Sequence, residues 1–395
     1  MPLDVVAVQG ALAAQGLDGW LLYDFQGSNP VARRLAGLAQ SGHMTTRRWF
    51  YLIPAEGTPV ALVHAIEAHN LDHLPGEKMI YAGRVQLDAG IAALLHHCRG
   101  RRIAMEYSPG CAIPYVSRVD AGTIELVRGR GVTVVSSGDL IQEFEARVSP
   151  AQMDTHRAAA AALYRVKDRA FDATARRLRD SVPTTEHDIQ RLMEGWFAEE
   201  GLISDSAPMV SAQENAGNPH YMPTAAASRS IGRDEVLLLD LWGRQQAPGA
   251  VFADITWVGF TGSRVPDEVR VAFAAVREAR DAVVQVIEEA ARSGREIRGF
   301  EADRAARAVL ERAGYAPRVL HRTGHSLGET VHGNGAHLDD YETHDERRLL
   351  PGTVFTIEPG VYFPHFGVRT EINVLWGSDG PEVTGERQQE VLTLV

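Results

Sequence analysis

The chain has 395 residues, 45% of them apolar, and a formal net charge of -11 at pH 7. That length exceeds one ordinary domain and the apolar fraction is ample for packed cores, so two globular domains are expected. The acidic balance, with 40 scattered Lys and Arg residues, argues against nucleic acid as a partner, because phosphate binding is driven by clustered positive charge. No apolar run reaches the roughly 18 residues a membrane span needs, and the opening MPLDVVAVQG has an early acid and no basic segment, so neither membrane nor signal peptide is expected and the cytoplasm is the default location.

Residues 1–148 alternate helical and strand patterns. VAVQGALAAQGLDGWLLYDF predicts a helix then a strand, RRWFYLIPAEGTPVALVHAIEAHNLDHL a hairpin then a helix, and RRIAMEYS and VTVVSS two more strands, which together make an α/β domain. Cys98 and Cys111 match no zinc spacing and no disulfide framework, and are expected to be small buried apolar residues.

At RVSPAQMDTHRAAAAALYRVKDRAFDATARRLR the pattern changes. Ser149 as N-cap, Pro150 at the first helical position and a long amphipathic run open a second domain, residues 149–395. A shorter helix, from about Thr185 to Glu200, starts on a Thr-x-x-Asp box (Thr185, Asp188) and stops at Gly201. The hairpin EVLLLDLWGRQQAPGAVFADITWVGF follows. From Pro266 the order recurs as a long helix, a shorter one and the hairpin GTVFTIEPGVYFPHFGVRTEINVLW. The offsets are 116 from Pro150 to Pro266, 118 from Asp240 to Glu358 and 117 from Asp254 to Glu371, so this domain reads as two similar halves. The fold class is α+β, with a pseudo-twofold duplication behind an N-terminal α/β domain.

Each hairpin carries two acids inside apolar strands. Symmetry about the turn GRQQAPG sets Asp240 opposite Asp254, and symmetry about YFPHFG sets Glu358 opposite Glu371. Opposed residues sit about 5 Å apart, where like charges repel and an unpaired buried carboxylate costs several kcal/mol. Something positive must lie between them, and the first hairpin offers only Arg244, in its turn. Divalent cations suit clustered carboxylate oxygens with an imidazole, and VLHRTGHSLGETVHGNGAHLDD supplies His321, His325 and His332 for one cavity.

From residue 150 onward these motifs resemble the metal-dependent pita-bread peptidases, which include methionine aminopeptidase, Xaa-Pro aminopeptidase and Xaa-Pro dipeptidase. The N-terminal domain is similar to that of the proline-specific and creatinase branches. The family's ligands run Asp, Asp, His, Glu, Glu, and LLLDLWG, FADITW, TGHSLG, FTIEPG and VRTEI place them at Asp240, Asp254, His325, Glu358 and Glu371. The resemblance implies two divalent ions, manganese first with zinc or cobalt as alternatives. Asp254 and Glu371 would bridge them, Asp240 would hold one, and His325 with Glu358 the other. A water or hydroxide between the metals is the implied nucleophile, with Glu358 passing its proton to the leaving amine. His220 in NPHY, His321 and His332 match histidines that meet substrate and transition state. Tyr362 and Arg369 match substrate-binding positions, where Arg369 would brace the bridging glutamate or read a carboxylate.

The implied activity is that of an Xaa-Pro dipeptidase, with Xaa-Pro aminopeptidase as the alternative. The implied partners are a small peptide with proline second and a second copy of the chain in a homodimer. A catalytically inactive peptide-binding relative and a creatinase-like amidinohydrolase are the readings of other classes; inactive relatives usually lose ligands, and the amidinohydrolase lacks the carboxylate set. The chain departs from the family in spacing its aspartates 14 apart, in the segment GNGAHLDDYETHDERR after His332, and in having Ile372 where an acid commonly stands. The segment 333–348 leaves the substrate rim open.

Overall fold

The computed structural model describes residues 3–39, 42, 44–98 and 100–395. They form two compact units, Met1–Glu145 and Ala146–Val395. Among the described residues no helix is long and apolar enough to cross a membrane.

The first unit is built on a six-stranded sheet in the order Glu77–Tyr81, Val60–His64, Trp49–Pro54, Gly19–Asp24, Arg102–Met105, Thr133–Ser136. Trp49–Pro54 is antiparallel to both neighbours and the other pairings are parallel. Because side chains alternate along a strand, Trp20 and Leu22 enter one core while Leu21 and Tyr23 enter another on the opposite face. The helix expected across residues 65–74 is reduced to the 3₁₀ turn Ala65–Glu67. Side chains there bind backbone in place of a helical ladder: Glu67 takes the amides of Thr46 and Arg47, and Asn70 donates to the Met44 carbonyl. The helices Pro30–Leu35, Arg84–Leu95 and Ala121–Arg128 and the strand Glu77–Tyr81 add to the expected elements. Cys98 is buried as expected, but Cys111 is exposed, at φ +55° in a tight turn.

In the second unit the helix–helix–hairpin order occurs twice. Helix Pro150–Arg179 starts at the Ser149 cap, whose box is closed by Gln152, and helix Glu186–Glu199 starts at the Thr185–Asp188 box. Strands Val236–Gln245 and Ala253–Phe260 form the hairpin behind them. Helices Asp267–Ser293 and Gly299–Arg312 precede strands Val354–Ile357 and Ile372–Gly377, which are joined through the short ladder of Gly360–Phe363 with Phe366–Arg369.

Each hairpin packs one face on its own helices. Leu237, Leu239, Leu241, Ile255 and Trp257 meet the first helix pair. Phe355, Ile357, Ile372 and Val374 meet the second. With a side-chain period of two, Asp240 and Asp254 stand on the other face of the first hairpin, and Glu358 and Glu371 on the other face of the second. The apolar burial on each outer side thus fixes all four acids on the inner side.

The fully buried His156 in the first long helix links distant segments, with Nδ1 to the Phe252 carbonyl at 2.8 Å and Nε2 to Thr384 Oγ1 at 2.9 Å. Burial pulls its pKa down to about 4. The folded state therefore prefers the neutral ring, and its contribution is intact above the unfolded value of about 6.5 and is lost as pH falls from there toward 4. At about 1.4 kcal/mol per pKa unit the loss is about 3 kcal/mol. Thermal melts between pH 7 and 4.5 should show a falling Tm, with a shallower fall in His156→Gln; an equal slope in the variant would refute the assignment.

Candidate metal centre

The register differs from the symmetric expectation in the first hairpin. Asp240 pairs with Thr256, and Asp254 with Trp242, so the two aspartates are diagonal neighbours on one face instead of opposite each other. The turn accounts for the two-residue shift. Residues 246–252 bond elsewhere instead of across the hairpin, with Gln246 N to the Gly201 carbonyl and Phe252 N to the Gly328 carbonyl, and Gly249 takes the left-handed conformation at φ +73°.

In the second hairpin the rungs Ile357↔Ile372 and Gly360↔Arg369 flank Glu358 and Glu371 and count in to set them opposite each other. The ladder opens there. The Glu358 amide donates to the Thr323 carbonyl at 2.7 Å and the Glu371 amide to the Thr256 carbonyl at 3.1 Å. The second bond, with Asp254 N to Asn373 Oδ1 at 2.9 Å, ties the two hairpins together at the acids. Gly324, beside His325, lies so close to the Thr356 carbonyl that a Cβ there would come within 2.2 Å of its oxygen.

Ligand atoms of Asp254, His325 and Glu371 lie within 4.8 Å of one another. His325 Nε2 is 3.4 Å from Glu358 Oε1 and 3.6 Å from Asp254 Oδ2. Its Nδ1 is 3.1 Å from the Ser326 carbonyl, which places the ring proton on Nδ1 and aims the Nε2 lone pair at the carboxylates. Burial lowers the His325 pKa and keeps the ring neutral. Asp254 Oδ1 and Glu371 Oε1 are buried and lack a hydrogen-bond donor. Burial, then the charges of Asp240 and Glu358, push Asp254 well above the usual carboxylate range, and burial with Asp254 and Glu358 does the same to Glu371. A lone pair and two donorless carboxylate oxygens facing one point fit a divalent cation and fit no protein donor.

Asp240 belongs to the same group but is partnered differently. It forms an ion pair with Arg369, whose Nε donates to Thr256 Oγ1 at 2.9 Å and whose Nη1 donates to Tyr362 Oη at 3.2 Å. Thr256 Oγ1 in turn donates to Glu371 Oε2 at 2.8 Å. Burial alone would lower the Arg369 pKa, but Asp240, Tyr362 and Glu358 outweigh it and keep the charge. Thr356 does the same service in the other half, accepting from the His325 amide at 3.0 Å and donating to Glu358 Oε1 at 3.2 Å. Burial alone would raise Glu358, yet nearby positive charge, that of Arg369 included, holds it below its usual value.

Tyr362, its hydroxyl pushed by burial to about 12, is 2.7 Å from His321 Nε2. The His332 ring packs edge-on to His325 with centroids 4.5 Å apart. His220 is exposed, and its backbone amide donates to Asn218 Oδ1 at 3.0 Å. In the segment 333–348 Asp339 accepts the amides of Tyr341, Glu342 and Thr343, while Asp345 pairs with Arg347 at 2.6 Å and takes the His337 amide. Thr256, Thr356 and Asn373 were not among the expected site residues. Their sequence signal is the strand period, since each stands two residues from a ligand acid and shares its face.

Replacing Thr256 with Val removes the hydroxyl between Arg369 and Glu371. Titration calorimetry with Mn2+ should show affinity weakened by about 10- to 100-fold, the usual effect of losing a partner that orients a ligand. Unchanged affinity would mean that Thr256 does not position Glu371.

Residues 155–377 match the model of metallopeptidase family M24. Over 175 residues the chain is 34% identical to an Xaa-Pro dipeptidase of Lactobacillus helveticus, covering 44% of this chain and 43% of the relative. Over 260 residues it is 28% identical to the probable dipeptidase PepE of Mycobacterium bovis, covering 65% and 63%. The matched stretches thus span under two thirds of these curated relatives. Among solved structures, the dipeptidase PepE of Mycobacterium ulcerans superposes with a TM-score of 0.69 at 22% identity, covering 99% of this chain and 96% of that one. A prolidase from Thermococcus sibiricus does so at 0.61 and 20%, covering 98% of each. These likenesses carry the fold across the whole chain, and the family match over residues 155–377 shows that the chain belongs to metallopeptidase family M24.

Proposed function

We propose that the chain is a dinuclear metal-dependent Xaa-Pro dipeptidase that hydrolyses the peptide bond before proline. The observation that carries this is the pair of buried donorless oxygens, Asp254 Oδ1 and Glu371 Oε1, beside the imidazole lone pair of His325. Asp240, Asp254, His325, Glu358 and Glu371 would hold two divalent ions, which supply a water of lowered pKa and a Lewis acid for the scissile carbonyl.

The chain's own groups do the rest. Glu358 Oε1 is engaged by Thr356, so Oε2 is the oxygen that takes a proton and passes it to the leaving nitrogen. His332, beside His325 at the edge of the cluster, donates to the substrate carbonyl as charge develops on it. Burial keeps His321 neutral; its Nδ1 is 2.7 Å from the Arg322 carbonyl, which leaves Nε2 to accept the Tyr362 hydroxyl. Arg369 braces Asp240 directly and Glu371 through Thr256, with all three of its nitrogens engaged. Of the two roles the resemblance implies for Arg369, this geometry supports bracing. Manganese, the homodimer and contact of His220 with substrate are carried with the proposal on the resemblance, and the cytoplasmic location as the default expectation from the sequence. The Lactobacillus helveticus relative, an Xaa-Pro dipeptidase, favours the dipeptidase over the aminopeptidase reading.

The test is a paired assay with Mn2+ of an Xaa-Pro dipeptide and an Xaa-Pro-Xaa tripeptide. The dipeptide should be cleaved and the tripeptide resisted; preference for the tripeptide would make the chain an aminopeptidase. A chelator should abolish turnover, and Asp254→Ala should lower it by at least about a thousandfold, because removing one metal ligand removes water activation and carbonyl polarisation together. Turnover at the wild-type level in that variant would sink the mechanism.

A further inference from the structure

Trp242 occupies a distinctive place beside the cluster. It is two residues beyond Asp240 and directly opposite Asp254, so the strand period puts its indole on the face that carries both aspartates. It is half-buried and packs, as Val331 does, against Val251, Phe252 and Leu327. Its Nε1–H donates to Asp205 Oδ1 at 2.8 Å. Asp205 is exposed, yet its charge reaches Asp254 and the ring of His332, which puts it at the mouth of the site. Among the described residues this is the one hydrogen bond its carboxylate makes, and no Lys, Arg or His is paired with it.

The order along the hairpin gives the site a polarity. Arg369 grips the rung of Asp240 and Thr256, and Trp242 with Asp205 stands two residues nearer the turn, beside Asp254. On the Asp240 side the charge is already paired with Arg369, whereas on the Trp242 side the carboxylate of Asp205 has no cationic partner among the described residues. A peptide laid across it with its amino-terminal residue toward Asp205 meets complementary charge. The indole fixes one carboxylate oxygen, leaves the other for a ligand, and offers an apolar surface along which a long aliphatic stem can lie.

We infer that Asp205, oriented by Trp242, receives a cationic side chain on the residue before the scissile bond, so that peptides beginning with Lys or Arg are preferred. This rests on the dipeptidase reading, and the experiment separates the two. Hydrolysis of Lys-Pro and Leu-Pro is compared in the metal-loaded wild type, D205N and W242F, and binding of both dipeptides to the metal-free proteins is measured by calorimetry. Wild type should favour Lys-Pro by about tenfold in kcat/KM, as expected for one added hydrogen bond between charged groups. In D205N that ratio should fall to about one through loss of Lys-Pro activity, and in W242F it should fall part of the way. The metal-free wild type should bind Lys-Pro more tightly than Leu-Pro, and D205N should not. Equal loss on both dipeptides in D205N, or an unchanged ratio, overturns the subsite. Wild type that cleaves neither dipeptide yet binds Lys-Pro through Asp205 keeps the subsite and sinks the peptidase reading instead.

Discussion

The second unit is organised around one electrostatic constraint: four carboxylates and an imidazole share a mostly buried space in which, among the described residues, one guanidinium, Arg369, is ion-paired with one of them. In a medium of low dielectric a charge left alone is costly, and each donorless buried oxygen costs about 1–3 kcal/mol or more. The protein meets part of this cost with neutral groups. Thr256 donates to Glu371 Oε2 and Thr356 to Glu358 Oε1, while Asp254 Oδ1 and Glu371 Oε1 have no donor. A divalent cation would complete the balance, and each hairpin needs its own helix pair behind it to hold its acids inward.

The fold is legible wherever a local rule carries it. The Ser149 and Thr185 caps, the stop at Gly201 and the period-two alternation of Leu237, Leu239 and Leu241 each depend on residues within a few positions, and the strands and long helices stand where those rules put them. What sequence symmetry missed depends on partners far along the chain. The first hairpin is shifted by two because its turn bonds to Gly201 and Gly328, which no count about the turn can anticipate. A shift of two preserves the face, so both aspartates still point inward; a shift of one would have turned one of them out.

The site shows the same division. The five expected ligands gather in the second unit because each is fixed by its strand period or by the loop at Gly324. The cation on Asp240 comes from Arg369, 129 residues away, so the first hairpin's lack of a base was informative about the hairpin and silent about the fold. The threonines were readable in principle, as Asp-x-Thr at 254–256 and Thr-x-Glu at 356–358, because a hydroxyl two residues from an acid on a strand shares its face.

Commitment of Arg369 bears on what the site can recognise. A guanidinium reads a carboxylate best by presenting two free N–H groups side by side, and Arg369 has given its three nitrogens to Asp240, Thr256 and Tyr362. Using it on a substrate would strip a counter-charge from Asp240 and a support from Glu371 together. Under the dipeptidase reading, the carboxyl end of the substrate would be met by another group. Arg322 also carries a charge that reaches Glu358, His325 and His332, while Asp205 lies on the Trp242 side of the cluster. Bracing the ligand acids and reading a substrate carboxylate would, under the dipeptidase reading, fall to different groups.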